Sequence, residues 1–125
     1  MSVVPQNVIA RVAKVLLSGA YKYARHNYRE VGVRASVYVD AATGHLGNFW
    51  EGEDSDPDSL ESHIINAIAG LVVLADSMDQ DNWVDDRPPK SKVLPRDKSM
   101  NQKVSDMLDS LQKTYGEPKK PCTEK

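Results

Sequence analysis

Apolar residues in this chain recur at helical spacing, and no run of any length alternates with a period of two. Val8, Ile9, Val12, Val15 and Leu16 lie on one stripe, widened by Ala13, Leu17 and Ala20. Pro5 suits a first helical turn, where its missing N–H costs nothing. The pattern predicts a first helix over roughly 5–25, with Gly19 a weak point inside it. Val37, Tyr38, Ala41, Ala42, His45 and Phe49, with Trp50 at the edge, predict a second over about 34–51. Gly44 and Gly47 lower its propensity, so packing must hold it. Ile64, Ile65, Ala67, Ile68, Leu71, Val72, Leu74 and Ala75 predict a third over about 58–78, capped by Asp58 or Ser59. That helix is apolar around much of its circumference, which places it at the centre of the fold or of an oligomer.

From Gln80 to Pro95 the chain is polar and proline-rich, and Pro88, Pro89 and Pro95 exclude a helix. After Asp97 and Ser99 a fourth stripe follows: Val104, Met107, Leu108, Leu111 and Tyr115, with Gly116 to end it. The expected fold is all-α: an antiparallel helical hairpin core of about four helices, oligomeric through the third. The expected organisation is a helical domain over 1–95, a C-terminal helix over 96–116 and a disordered tail over 117–125.

Composition narrows the classes. The 125 residues suit one domain, and 40% apolar with 27% charged residues allow a modest core under a solvated surface. A net charge of −2 gives no general attraction to a nucleic-acid polymer or an anionic membrane. No apolar run approaches the ~20 residues that span a bilayer. The opening M-S-V-V-P-Q-N lacks the basic and apolar parts of a signal peptide. The single cysteine, Cys122, cannot form an internal disulfide and fits a reducing compartment. A soluble cytoplasmic protein is expected.

Candidate chemistry gathers between Asp40 and Asp76. Glu51, Glu53, Asp54, Asp56 and Asp58 crowd the turn between the second and third helices. Carboxylates suit Mg²⁺ or Mn²⁺, though acidic turns are also ordinary solvated caps. His63 and Asn66 share a helix face, and Asp40 on the preceding helix could oppose them to ligate a metal or orient water. The alternative for His63 is a partly buried polar residue with a hydrogen-bond partner. His45 lies in the apolar stripe and reads more readily as a core histidine. Lys22, Arg25, Arg29 and Arg34, interleaved with Tyr21, Tyr23 and Tyr28, form either a phosphate- and base-binding patch or a solvated basic face. Asp85, Asp86, Arg87 and Lys90 could close over a ligand or form an ordered surface loop. No P-loop, G-x-G-x-x-G, G-x-S-x-G or cysteine-rich zinc spacing is present.

Several of these segments, taken in order, carry a resemblance. G-A-Y-K-Y-A-R-H-N-Y-R (19–29), R-A-S-V-Y-V-D-A-A-T-G-H-L (34–46), W-E-G-E-D-S-D-P-D-S (50–59), S-H-I-I-N-A (62–67) and D-D-R-P-P-K (85–90) resemble the N-terminal domain of the phage and bacterial dATP/dGTP diphosphohydrolase family. That family is related to the MazG-like, all-α nucleotide pyrophosphohydrolases. The resemblance covers roughly 5–90. It implies an oligomeric helical protein that hydrolyses purine deoxynucleoside triphosphates to monophosphates with Mg²⁺ or Mn²⁺ and so alters the nucleotide pool.

Around the second helix the family pattern is close to D-A-x-x-R-H-L. Asp40, His45 and Leu46 match it, and Gly44 replaces the arginine. The acidic turn matches at Gly52, Glu53, Asp54 and Asp56. In the third helix His63 and Ala67 match, Asn66 stands for a second histidine and Gly70 for an asparagine. These departures bear on activity, metal affinity and substrate choice. The resulting assignment gives Asp40, Glu53, Asp56 and His63 to the metal. Asp40, His63 and Asn66 go to catalysis, and Lys22, Asn27, Tyr28, Arg29 and Arg87 to the substrate. The alternative is a catalytically weakened nucleotide-binding or helical interaction protein on the same scaffold.

Overall fold

The computed structural model describes residues 2–120. In order, the elements are α1 (Gln6–Tyr23), α2 (Asn27–Val31), β1 (Val33–Arg34), α3 (Ala35–Trp50), α4 (His63–Asp79), β2 (Trp83–Val84) and α5 (Lys98–Tyr115). The chain is mostly helical, as the apolar spacing predicts. It divides into two compact units between Arg87 and Pro88. Among the described residues no helix is long and apolar enough to cross a membrane.

The first unit is built around α4, which packs against both α1 and α3. Its buried positions, among them Ile65, Ala67, Ala69 and Val73, go around the helix rather than along one stripe. That is the arrangement expected of a helix apolar on all sides. Burying a side chain such as Ile65, 4% exposed, stabilises the fold by about 2–3 kcal/mol. Small residues let α3 come close: a Cβ added at Gly70 would lie 3.8 Å from the Tyr38 ring. One end of α3 thus meets Gly70 through Tyr38, and the other meets His63 through His45.

The start of α4 differs from the expected helix at 58. Its first residue is His63, and the cap is Ser62, whose Oγ accepts from Ile64 N at 3.1 Å, not Asp58 or Ser59. The acids 54–61 fold a loop instead of a first turn. Asp56 Oδ1 accepts from Asp58 N at 2.8 Å, Asp56 N donates to Glu61 O at 2.9 Å, and Leu60 takes φ +60°. Asp56 thereby spends its side chain on the backbone of the loop, the usual habit of aspartate in turns.

Two further elements escape the sequence pattern. The tyrosine- and arginine-rich stretch holds the short α2, entered through Ala24 at φ +71° and His26 at φ +57°. β1 and β2 pair in parallel, Val33 with Trp83 and Arg34 with Val84. Two residues are too few to display alternation. Gly32 enables the pairing: its φ is +72°, and a Cβ there would sit 2.8 Å from Asn82 Oδ1.

Beyond β2, Asp86 accepts from Ser36 N at 2.9 Å and also from Ser36 Oγ, capping the first turn of α3 from fifty residues away. These bonds from Ser36 hold the Asp86 carboxyl below its ordinary range. The segment around 85–87 is an ordered surface loop, the second of the two sequence readings.

In the second unit α5 begins at Asp97, whose Oδ1 accepts from Ser99 N at 3.1 Å, and stops at Gly116 with φ +78°. None of its residues is buried. Most of the tail expected over 117–125, including Cys122, lies outside the described residues.

Candidate functional site

A polar cluster forms where α3, the acidic loop and the start of α4 meet. His63 is 1% exposed, and its position is fixed twice by the backbone, since it follows the Ser62 cap and its own N–H donates to Asp54 O at 2.9 Å. Its Nε2 lies 2.7 Å from Glu53 Oε1. Its Nδ1 lies 2.9 Å from Nδ1 of His45 on α3. The same His45 nitrogen is 3.7 Å from Asp56 Oδ2. His45, Asp56 and His63 each offer one ligand atom, and those atoms lie within 4.8 Å of one another. They line a pocket of about 430 Å³ whose other walls include Gly44, Asn48 and Asp58.

A second, larger space opens on the other side of His45. It is a cleft of about 670 Å³ between α1 and α3, floored by α4. Its walls are mostly apolar and aromatic, with Leu16, Tyr23, Tyr28, Tyr38 and Ala42 among them. Gly70 and Ala67 keep its floor low because neither carries a side chain beyond Cβ. A mainly apolar space with a few polar groups at one end is the usual form of a small-molecule site. His45 borders both spaces.

The sequence assignments fall into three groups. The structure brings Glu53, Asp56 and His63 together. Asn27 and Tyr28 line the apolar cleft. Asp40 does not join the cluster: it is exposed on α3 and lines neither space. Asp40 shares a helix face with Gly44 but lies one turn before it, and the part of α3 that reaches the cluster carries Ala41, Gly44, His45 and Asn48. Asn66 faces a different task from the one expected. Its Nδ2 donates to Ser59 Oγ at 2.9 Å, Ser62 O at 3.0 Å and Glu61 O at 3.2 Å, which ties the acidic loop to α4. Only its Oδ1 is left to offer the cleft, which Asn66 also lines.

The basic residues are largely engaged elsewhere. Arg29 makes a bidentate pair with Asp76, at 2.8 and 2.6 Å, which raises the guanidinium further and lowers the carboxyl. Arg87 does the same with Asp85, at 2.8 and 2.7 Å, and stacks 5.2 Å from the Trp83 ring. The Arg87 hydrogen bonds push the Asp85 carboxyl down to about 2. Lys22 is exposed in the last turn of α1 and does not line the cleft.

Two residues escaped the sequence reading. His45 reads more readily as a core histidine because it falls in an apolar stripe. It is instead half-buried at the junction of the two spaces. The signal that could have found it was its pairing with His63 across a turn rich in carboxylates. Glu61 is buried, with 7% exposure, and accepts from Arg11 Nε at 3.1 Å, from Arg11 Nη2, from Lys14 Nζ at 3.4 Å and from Ser62 N at 2.8 Å. The Arg11 guanidinium, then Ser62 N–H, hold its carboxyl down at about 2. Arg11 and Lys14 sit three apart on α1, so their shared demand for an acid was legible, although which acid was not.

The donor set suits a divalent cation: two imidazole nitrogens and a carboxylate converge, and a second carboxylate orients one of the rings. A family model described as dATP/dGTP diphosphohydrolase, N-terminal, matches residues 1–87, which is the whole of the first unit. No curated protein and no solved structure matches the chain.

Proposed function

The chain belongs to the dATP/dGTP diphosphohydrolase N-terminal family, and on that premise we propose that it hydrolyses dATP and dGTP to the monophosphate and pyrophosphate. The observation that carries the proposal is the adjacency of the two spaces across His45. One is polar and suited to a cation and phosphates; the other is apolar, aromatic-walled and large enough for a purine and its sugar.

In this reading the base enters the cleft between Tyr28, Tyr38 and the α1 wall. Gly70 leaves room on the floor, and Asn66 Oδ1 accepts a hydrogen bond from an exocyclic amino group. The phosphates reach past His45 into the polar pocket. A divalent cation, Mg²⁺ or Mn²⁺ by the family resemblance, would be held there and would offset phosphate charge and acidify a bound water. Asp56 and His63 supply its ligands, and Glu53 fixes the His63 ring by accepting at Nε2. Water attacks phosphorus and its oxygen passes to one product, while the bond between the α- and β-phosphates breaks to release the other. Of the basic residues assigned to the substrate, Lys22 lines neither space, and Arg29 and Arg87 must first leave Asp76 and Asp85. We also propose a homo-oligomer, assembled through apolar positions such as Leu71, Val72 and Phe49, each more than 40% exposed.

Incubation with each of the four deoxynucleoside triphosphates, Mg²⁺ or Mn²⁺, and separation of products tests the proposal. dAMP and dGMP with pyrophosphate are expected, with little product from dCTP or dTTP. No turnover by folded protein with either metal would sink the enzymatic claim. One observation favours the second reading, a nucleotide-binding protein without turnover: Asn66, standing where the family pattern has a histidine, spends its amide on the loop. Calorimetric binding of dATP with no hydrolysis would select it.

A further inference from the structure

We infer that the cluster is a nitrogen-rich site for a first-row transition-metal ion of the Mn²⁺, Co²⁺ or Zn²⁺ kind, in preference to Mg²⁺. His45 Nδ1, His63 Nδ1 and Asp56 Oδ2 are the ligands, and Glu53 is a positioning residue. The inference rests on the reading that this pocket holds a cation; it adds His45 to the ligand set and sets Mg²⁺ aside in favour of the transition metals.

The tautomer of His63 gives the first reason. Glu53 Oε1 lies 2.7 Å from Nε2, and a carboxylate there can only accept. In the neutral ring the proton is therefore on Nε2, and Nδ1 presents a lone pair toward His45. A carboxylate holding the remote nitrogen of an imidazole is the usual outer partner of a metal-bound histidine.

Distances give the second reason. Ligand atoms bound at about 2.1 Å to one ion, at angles between octahedral and tetrahedral, stand roughly 3.0–3.4 Å apart. The two Nδ1 atoms are 2.9 Å apart, and Asp56 Oδ2 is 3.7 Å from His45 Nδ1. One ligand atom from each of the three residues lies within 4.8 Å of the others, so a short movement of the Asp56 side chain would close the triangle. A simple hydrogen bond from His45 to His63 would also satisfy the nitrogens, but it gives no role to Asp56 Oδ2, the oxygen that Asp58 N does not use.

The third reason is ligand chemistry. Imidazole suits Mn²⁺, Co²⁺ and Zn²⁺, with affinity rising along the first row toward copper. Mg²⁺ demands near-ideal oxygen coordination and keeps its water. Two nitrogens among three ligands discriminate against it. The pocket is larger than the triangle, which leaves open coordination positions for phosphate oxygens and water.

Metal-stripped full-length protein titrated with Co²⁺ or Mg²⁺ tests the inference without any turnover. One Co²⁺ per chain should bind, with visible absorption bands, on the order of 100-fold more tightly than Mg²⁺. His45→Phe should abolish that site while helix content by circular dichroism stays unchanged. Glu53→Ala should weaken Co²⁺ binding about 10–100-fold, and Glu53→Gln, which can still accept from Nε2, should restore most of it. Should His45→Phe fail to fold, Mn²⁺ added to the wild-type protein should still broaden the ring resonances of His45 and His63. Equal affinity for Mg²⁺ and Co²⁺, or Mn²⁺ that leaves both rings sharp, would overturn the inference. A chain that binds Co²⁺ at the histidines without hydrolysing dATP or dGTP upholds it and removes the hydrolase. A chain that turns over with Mg²⁺ while its histidines bind nothing overturns it and leaves the hydrolase in place.

Discussion

The polar pocket and the apolar cleft share His45 but are built by opposite means. The pocket is made by side chains that are present: Glu53, Asp56 and His63, drawn together by a loop whose own backbone bonds hold Asp54, Asp56 and Glu61 in place. The cleft is made largely by side chains that are missing, at Gly70, Ala67, Ala41 and Ala42. Damage to the pocket should therefore appear in the chemical step, and damage to the cleft in substrate affinity. The Gly70 departure from the family pattern falls in the cleft, so it bears on what binds more than on whether bonds break.

The sharpest break of that contrast is Asp56→Asn. It removes the carboxylate charge while keeping the shape, and kcat for dATP or dGTP should fall about 10²–10³-fold with KM little changed. A steady-state comparison reads this directly, and an unchanged kcat would remove Asp56 from the chemistry. Next is Ile65→Ala, which damages the helix that both spaces lean on. Denaturant unfolding should show a loss of about 3 kcal/mol, within the range for large-to-small changes in a core. Both kinetic parameters should survive at temperatures where the variant stays folded.

Gly70→Leu probes the cleft alone. The new side chain meets Tyr38 and fills the floor, so KM should rise about 10-fold with kcat nearly unchanged. Equal loss in both would mean that the cleft and the pocket are not separable. The mildest test is Glu61→Gln. The Glu61 carboxyl is held at about 2 in the fold, against an ordinary value of 4.5. A lowered value stabilises the folded chain above the ordinary one, and the benefit disappears as pH falls toward the lowered one. Wild type should therefore have the higher melting temperature at pH 7, with the gap closing between about pH 4.5 and 2. A gap that stays constant with pH would show that Arg11 and Lys14 contribute nothing through charge.

The contrast between the two spaces also separates what was legible from what was not. α3 and α5 were readable because apolar spacing, Asp97 and Gly116 mark them within a residue or so. The acidic loop was not, because Asp58 and Ser59 look like caps until Asp56 and Leu60 show how the backbone turns. The pattern of carboxylates beside a histidine across a turn groups Glu53, Asp56 and His63 together with Asp40, which the structure leaves outside the cluster. His45 was passed over because an apolar stripe does not say which of its members borders a cavity. Arg29 and Arg87 looked free in the sequence because Asp76 lies forty-seven residues from one, and the partnership of Asp85 with the other needs a particular backbone course.

The sequence by itself determined the helical class, the central place of α4, the family, and the residue types available for chemistry. These depend on local periodicity and on ordered short motifs, both of which survive in one dimension. The tertiary structure decided which groups meet. It left Asp40 exposed outside both spaces, brought His45 to His63, spent Asn66 on the loop and buried Glu61 against α1. The meetings of His45 with His63 and of Glu61 with Arg11 join segments 18 and 50 residues apart, and those distances are set only when α4 packs against its neighbours.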